Sequence, residues 1–525
     1  MKTRRIAMMA DLQPRKNILM IIPDQWRYDQ LGMDPSLTPN FHALMRDGVA
    51  FENHYGQMVP CAPSRASMYT GLYGMTHRVV VNRSPLAQHH RTFAQHLRTV
   101  GYAPTVFGYS DTAADPTPRH PNDPALLDSD GFGLLQGLDV GCMMVGRHWA
   151  WLGELRRRGY VFDHYDELFA ADYTKPSPNG GIAGHPARYK AEDSDTAFLT
   201  DQTIAWLGAQ DQGWCAMLCY LRPHPPFIAP EPYNGLVDPA TLVPMNRLPE
   251  RLDEVNHPFM AFQLEVGRAN EVHPDLTGRA RDVSDTDWQS VRAAYCGLMA
   301  EVDQNIGRLI DWLKEKGQYD NTLIIFTSDH GDPIGDHWLA NQASWHDYQA
   351  HLPLVIRDPA SEARTFDGMK VSAFTEGVDL VPTLLDYLGI DQPTELDGQS
   401  VMPFVRGETP EQWRDFVHWE YHFKSPPENP FSGPMGISED ECMLSVIRDE
   451  RYKHVFFPSL PSLLFDMVND PGERRNLAAD PAFAAVEREY LAKQLTLRIL
   501  HADRRTSTTV LGRTGMVRYQ GYRRS

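Results

Sequence analysis

Residues 17–24, "NILMIIPD", are apolar without a break until Pro23, the pattern of a short strand covered on both faces. "NTLIIFTSDHG", residues 321–331, repeats that pattern far along the chain. Just before it, Trp288, Val291, Tyr295, Leu298, Val302, Ile306, Leu309 and Leu313 recur at three- and four-residue steps. They predict one apolar face of a helix from about Asp285 to Lys316, stopped by Gly317. "TPNFHALMRDGVAF" predicts a shorter helix, with Thr38 capping, Pro39 in the first position and Gly48 at the end. Buried strands alternating with helices predict an α/β layer around a largely parallel sheet.

After "LDGQSVMPFVRGETPEQ" the texture changes. "CMLSVIRDERYKHVFF" predicts two strands joined at Asp449-Glu450, and "SLLFDMVNDPGERRNLA" a strand, a turn and a helix start. The expected organisation is a catalytic domain over 1–405 and a smaller C-terminal α+β domain over 406–502. Residues 503–525 carry six arginines against one aspartate and form either a solvated end or an arm for oligomerisation. No repeat or low-complexity tract interrupts the chain.

At 525 residues the chain exceeds one compact core, which fits a large domain plus a small one. A formal net charge of −18 argues against nucleic acid as a partner, and an anionic substrate would need positive charge concentrated at its site. Six irregularly spaced cysteines suit a reducing compartment rather than a disulfide framework. The N-terminal "MKTRRIAMMADLQPRKN" has too short an apolar run for a signal peptide, and no stretch reaches transmembrane length. The expectation is a cytoplasmic protein without a membrane partner.

Both buried strands end in acidic residues: Asp24 after the first, Asp329 with His330 after the second. Parallel sheets bind ligands beyond their carboxyl ends, so these groups can converge on a divalent metal, with Gln25 adding an amide oxygen. Taken singly, Asp24 reads as a cap and His330 as a turn residue; the matched strand ends reverse that. "CAPSRASMYTG" raises a different question. Pro63 suits the first turn of a helix and Thr70-Gly71 its end, which puts Cys61 at the positive mouth. Arg65, one turn on, can point back at position 61. A lone cysteine is ordinarily a buried thiol, but one placed like this is expected to have a depressed pKa and to act as a nucleophile.

That segment resembles the sulfatase signature of the alkaline phosphatase superfamily, Cys-x-Pro-Ser-Arg followed by Thr-Gly. The resemblance extends through "NILMIIPDQWRYD", "LYGMTHRVVVN", "YLRPHPPF", "TLIIFTSDHGDPIGDH", "TEGVDLVPTLLDYLG" and "LFDMVNDPGERRNLA". Its blocks are most similar to the branch of phosphonate monoester hydrolases and their arylsulfatase relatives. It implies an alkaline phosphatase-like α/β/α sandwich with a large mixed, mostly parallel sheet, plus a small C-terminal antiparallel sheet with a helix.

The resemblance further implies that Cys61 is oxidised to formylglycine by a maturation enzyme that reads Pro63, Ser64 and Arg65. The hydrated aldehyde would attack sulfur or phosphorus with a metal-bound oxygen, and its other oxygen would then release the product. By the same comparison Asp24, Gln25, Cys61, Asp329 and His330 fall on ligands of one divalent metal, for which a nitrogen donor favours manganese over calcium. Asn82 and Tyr109 fall on substrate contacts, and His224 on a leaving-group or substrate contact, although all three also read as ordinary turn, core or packing residues.

Two positions depart from the pattern. Gln342, five residues after His337, stands where relatives carry a substrate-facing lysine. Asp111 stands where phosphonate monoester hydrolases have threonine. A pocket with one cation fewer and one carboxylate more favours monoanionic substrates. The expected function is a sulfatase of sulfate monoesters, with a phosphonate monoester hydrolase or phosphodiesterase second and an inactive anion-binding protein third. The expected partners are a small anionic ester, the maturation enzyme and further copies of the chain in a dimer or tetramer.

Overall fold

The computed structural model describes residues 15–117, 120, 133–146, 148–247, 257–342, 344–360, 363–424, 432–503, 509–513 and 515–518. In chain order the strands begin with β1 (Asn17–Ile21), β2 (Val49–Tyr55), β3 (Met58–Val59) and β4 (Pro85–Leu86). β5 (Pro104–Gly108), β6 (Ala113–Ala114), β7 (Asp139–Met143) and β8 (Cys215–Leu218) follow. Next come β9 (Thr322–Thr327), β10 (His351–Arg357) and β11 (Lys370–Glu376). Eight of these strands make one sheet in the order β11-β2-β10-β9-β1-β8-β5-β7. β10 pairs antiparallel with both of its neighbours, whereas every other pairing in the sheet is parallel.

β1 shows why the sheet is central. Its residues are fully buried, and alternate side chains enter different cores, as a two-residue period demands. Leu19 and Ile21 join a core that includes Trp288, Val291 and Val302 of the long helix Asp285–Glu315. Ile18, Met20 and Ile22 join another, with Ala62, Ala66 and Tyr69 of the helix Cys61–Thr70. Both faces are therefore covered, and the strands read as continuous apolar runs.

The long helix starts on Ser284, whose side chain accepts from Asp287 N, with Asp285 and Asp287 in the first turn. Gly317, at φ 64°, lies just beyond its end. The first short helix is trimmed relative to expectation. It spans Pro39–Arg46, Thr38 gives it no side-chain cap, and Val49 already begins β2. Thr38 Oγ1 instead donates to Asp34 O at 3.0 Å.

The smaller sheet contains β12 (Phe416–His422), β13 (Met443–Asp449), β14 (Tyr452–Phe456) and β15 (Leu463–Asp466). These four are antiparallel in sequence order. Its far edge is β3, which comes from residues 58–59 and pairs parallel with β12. That long-range edge carries no local signal in the sequence. The helix expected directly after "NDPGERRN" starts only at Ala484 and runs to Leu500. Within the arginine-rich tail, β16 (Thr509–Gly512) and β17 (Gly515–Arg518) pair as an antiparallel hairpin; the rest of that segment beyond Asp503 lies largely outside the described residues. No helix among the described residues is long and apolar enough to cross a membrane.

Candidate active site

The site lies beyond the carboxyl ends of neighbouring strands. Asp329 and His330 follow β9, Asp24 and Gln25 follow β1, His224 follows β8, and Tyr109 and Asp111 follow β5. Residues about 300 apart in sequence thus meet because β1 and β9 are paired neighbours.

The helix Cys61–Thr70 brings the remaining groups, with Cys61 as its first residue and Gly71 closing it in the left-handed region. Pro60 offers no side-chain cap. Asn82 Oδ1 takes that role from a distance, accepting from Ala62 N at 3.0 Å. Ser64 Oγ donates to Asp329 O at 2.5 Å, tying the helix to the end of β9.

One donor atom each from Asp24, Cys61, Asp329 and His330 lies within 4.8 Å of all the others. His330 Nδ1 bonds Gly331 O at 2.8 Å, which leaves Nε2 for the cluster, 3.2 Å from Cys61 Sγ. Asp329 Oδ1 accepts from Gln25 N at 3.2 Å and from His330 N at 3.0 Å. Arg65 braces both carboxylates, with Nε 2.9 Å from Asp329 Oδ2 and Nη2 3.2 Å from Asp24 Oδ2. Its guanidinium stacks on the Tyr109 ring at 4.4 Å, and the Tyr109 hydroxyl donates to Asp24 Oδ2. Asp24 Oδ1 and both amide atoms of Gln25 are buried without a hydrogen-bond partner. Two carboxylates, an imidazole nitrogen and residue 61, brought together within 4.8 Å, fit a divalent cation, and the orphaned amide of the adjacent Gln25 is available as a further donor.

Electrostatics corrects the expected thiol chemistry. Burial pushes the Cys61 thiol well above its ordinary pKa, and Asp24, Asp329 and Asp111 push it further. Arg65 opposes them but spends its hydrogen bonds on the carboxylates instead of pointing back at position 61. Without a cation at the cluster, these surroundings disfavour the thiolate of an unmodified Cys61. Asp329 behaves differently: burial pushes it up, but Arg65 and His330 outweigh burial and hold it at about 2. Burial and the neighbouring Asp329 raise Asp24.

A cavity of about 340 Å³ opens over this cluster, lined by Asp24, Cys61, Asn82, Tyr109, Asp111 and His224 among others. His224 Nδ1 bonds Pro225 O at 2.6 Å, and Arg222 Nη1 holds the loop through His224 O at 2.9 Å and Pro226 O at 3.0 Å. Asp111 is buried with φ 51°, and its carboxyl is pushed up to about 7, mainly by burial. Gln342 reaches the cluster, its Oε1 lying 3.9 Å from Cys61 Sγ.

His337 does not join them. Its ring stacks on His346 at 3.8 Å, its Nε2 lies 3.1 Å from Gly472 O, and it lines a separate cavity with Trp338, Trp345 and Arg247. The sequence reading also passed over His148 and Tyr165, which line the active cavity and bond each other at 2.6 Å. It passed over Arg222 too, which pairs with Asp195 at 3.3 Å behind the His224 loop. His148 and Tyr165 lie in ordinary aromatic-rich segments with no periodic or motif signal. Arg222 stands inside "YLRPHPPF", where the run of prolines was the available hint that something must hold the loop.

The model of the Sulfatase family matches residues 16–390. That of the N-sulphoglucosamine sulphohydrolase C-terminal region matches 335–500. The multifunctional alkaline phosphatase superfamily protein PehA of Trinickia caryophylli is 36% identical over 505 residues, covering 93% of this chain and 96% of PehA. The crystal structure of the phosphonate monoester hydrolase of Agrobacterium radiobacter superposes with a TM-score of 0.91 at 40% identity, covering 97% of this chain and 100% of that one. The phosphonate monoester hydrolase SpPMH from Silicibacter pomeroyi gives a TM-score of 0.88 at 39% identity, with the same coverage.

Proposed function

The chain belongs to the sulfatase family, and from that premise we propose that it is a formylglycine-dependent hydrolase of singly charged phosphonate monoesters and phosphodiesters, with sulfate monoesters as a second class. The sequence alone put sulfate esters first. Relatives at 36–40% identity whose names carry multifunctional or phosphonate monoester hydrolase activity move phosphonates ahead. The observation that carries the reading is the convergence of Asp24, Cys61, Asp329 and His330 under an open cavity, with ligand-type atoms left unbonded. An inactive anion binder has no need of so complete a set.

A divalent cation, manganese ahead of calcium because of the His330 nitrogen, would be held by Asp24, Gln25, residue 61, Asp329 and His330. When bound it would supply the positive charge that ionises a nucleophile and stabilises developing oxyanions. Formylglycine at position 61 would supply an oxygen nucleophile in place of a thiol whose ionisation is opposed by burial and three carboxylates. The chain's own groups do the rest. Arg65 fixes both carboxylates, Tyr109 fixes Asp24, and Asn82 fixes the helix mouth that carries residue 61. His224, with Nδ1 committed to Pro225 O, keeps Nε2 for passing a proton to the departing oxygen. Residues 61–65 are buried in the fold, so a maturation enzyme reads them before the chain closes.

Matched aryl phosphonate, phosphodiester and sulfate esters with one nitrophenolate leaving group test the reading through kcat/KM. The phosphonate is expected to be fastest. A tenfold lead for the sulfate would reverse the order, and no turnover of any of the three by metal-loaded, aldehyde-bearing protein would sink the proposal. The mass of the peptide carrying residue 61 reports the aldehyde directly.

A further inference from the structure

Three carboxylates act on residue 61, and only one of them is uncommitted. Asp24 and Asp329 share Arg65. Asp111 forms no ion pair among the described residues, and its Oδ1 is buried without a hydrogen-bond partner although the residue is only 3% exposed. Burying a carboxylate in that condition is costly. Its backbone sits in the left-handed region, which a residue with a side chain rarely adopts. The neighbour Ser110 pins the loop, with Oγ donating to Gly133 O at 3.1 Å and accepting from Leu135 N at 2.9 Å. The fold thus holds Asp111 against the cavity by its neighbours, and among the described residues no ion pair engages its carboxylate.

Arg65 acts on the Asp111 carboxylate through space, but no cation among the described residues pairs with it. Arg65 is committed to two other carboxylates. His148, which also lines the cavity, is held below its ordinary pKa by burial. Gln342 brings no charge. Asp24 and Asp329 have Arg65 between them, whereas Asp111 adds a carboxylate that no cation among the described residues pairs with. An ester that carries its own positive charge restores the balance. Met144, His148 and Tyr165 line the same cavity as Asp111, and apolar and aromatic groups suit the methylenes beside an ammonium.

We propose that the chain selects zwitterionic esters, whose organic group carries a protonated amine held by the Asp111 carboxylate while the anionic ester faces residue 61. This rests on the proposed hydrolase function and names its substrate class. One contact with the carboxylate where it lines the cavity then offsets its burial and keeps it ionised.

The test compares the p-nitrophenyl monoesters of 2-aminoethylphosphonate and n-propylphosphonate, which differ only in the terminal charge. The metal-loaded enzyme is expected to prefer the amino ester in kcat/KM by about tenfold or more, the range of a charge-assisted contact. Asp111→Asn and Asp111→Thr are both expected to bring the ratio near one, the amino ester losing through KM. A ratio near one in the unsubstituted enzyme, or a preference that survives both substitutions, overturns the inference. Calorimetric titration of both esters into Cys61→Ala separates this from failure of the hydrolase reading. Tighter binding of the amino ester, lost in Cys61→Ala with Asp111→Asn, supports the recognition even if neither ester is cleaved. Equal binding of the two overturns it.

Discussion

Two arginines, Arg65 and Arg414, each hold a pair of buried carboxylates, and the surroundings of the two pairs differ in one respect. Arg414 lies at the seam between the two sheets. Its Nη1 and Nη2 fork onto Asp379, with Nη2 2.7 Å from Oδ1, while Nε faces Glu376 at 3.4 Å. Glu376 also accepts from His418 N at 2.8 Å and from the Tyr73 hydroxyl at 2.6 Å, and Asp379 accepts from Gln399 N at 2.8 Å. No side-chain atom of Arg414, Glu376 or Asp379 is buried without a partner, whereas around Arg65 the orphans are Asp24 Oδ1, Gln25 Oε1 and Nε2, and Asp111 Oδ1. Burial of charge alone therefore does not mark function here. The Arg414 charges saturate one another as a clamp, whereas the Arg65 cluster keeps ligand-type atoms unbonded beneath a cavity.

Crossed substitutions break this comparison if it is wrong. Cys61→Ala is expected to lower kcat/KM by at least about a thousandfold, as removal of a nucleophile does. It should leave the melting temperature within about 2 °C, because a small side chain at a helix mouth contributes little packing. Arg414→Met should do the opposite. Stranding Glu376 and Asp379 costs about 3–5 kcal/mol in a denaturant titration, while kcat/KM per folded molecule holds. An Arg414→Met protein that is stable but inactive would show that the clamp belongs to the site.

A buried carboxyl outside both pairs sharpens the distinction through pH. Glu301, on the long helix, is pushed up to about 8 by burial, with Asp195 adding to the effect and Ser194 and Arg222 opposing it. In the unfolded chain it titrates near about 4.3. Between those values the folded state binds the extra proton, so Glu301 contributes stability fully below about pH 4 that is lost as pH rises through 8. Glu301→Gln keeps the neutral shape and removes the penalty. Its melting temperature should exceed that of the unsubstituted protein at pH 8 and match it near pH 4. A gain that is independent of pH would mean packing, not ionisation, is responsible.

What was legible in the sequence is what local pattern encodes. β1, β9 and the Asp285–Glu315 helix follow from apolar period alone, and the strand-end acids follow from them. The segment around Cys61 located the helix Cys61–Thr70. What failed depended on distance. Arg65 was assigned to Cys61 because they are four residues apart, but Asp329 and Asp24 outcompete it in space. The pKa direction of Cys61 followed the helix mouth in sequence and is set instead by burial and three carboxylates that only the fold assembles. β3, two residues long, joins the smaller sheet from the far end of the chain, and His337 is carried off into another cavity by its stack on His346. None of these leaves a trace in periodicity.

The smallest expected effect concerns Gln342, the residue that brings an uncharged amide where the resemblance leads one to look for a lysine. Its Oε1 lies 3.9 Å from Cys61 Sγ, so a longer cationic side chain at this position can reach the reacting ester. A charge-assisted hydrogen bond is worth roughly 1.5–3 kcal/mol against about 1 for a neutral one. Gln342→Lys should therefore raise kcat/KM by about fivefold for alkyl-tailed esters with poor leaving groups, where the departing oxygen carries most charge, and hardly at all for good ones. The slope of log kcat/KM against leaving-group pKa becomes shallower. Asp111 competes for the new ammonium, so the gain should be larger when Asp111→Thr is combined with Gln342→Lys. That excess over additivity measures the coupling of the two positions across the cavity. A leaving-group slope unchanged in both backgrounds would place residue 342 beside the nucleophile only, with no contact to the leaving oxygen.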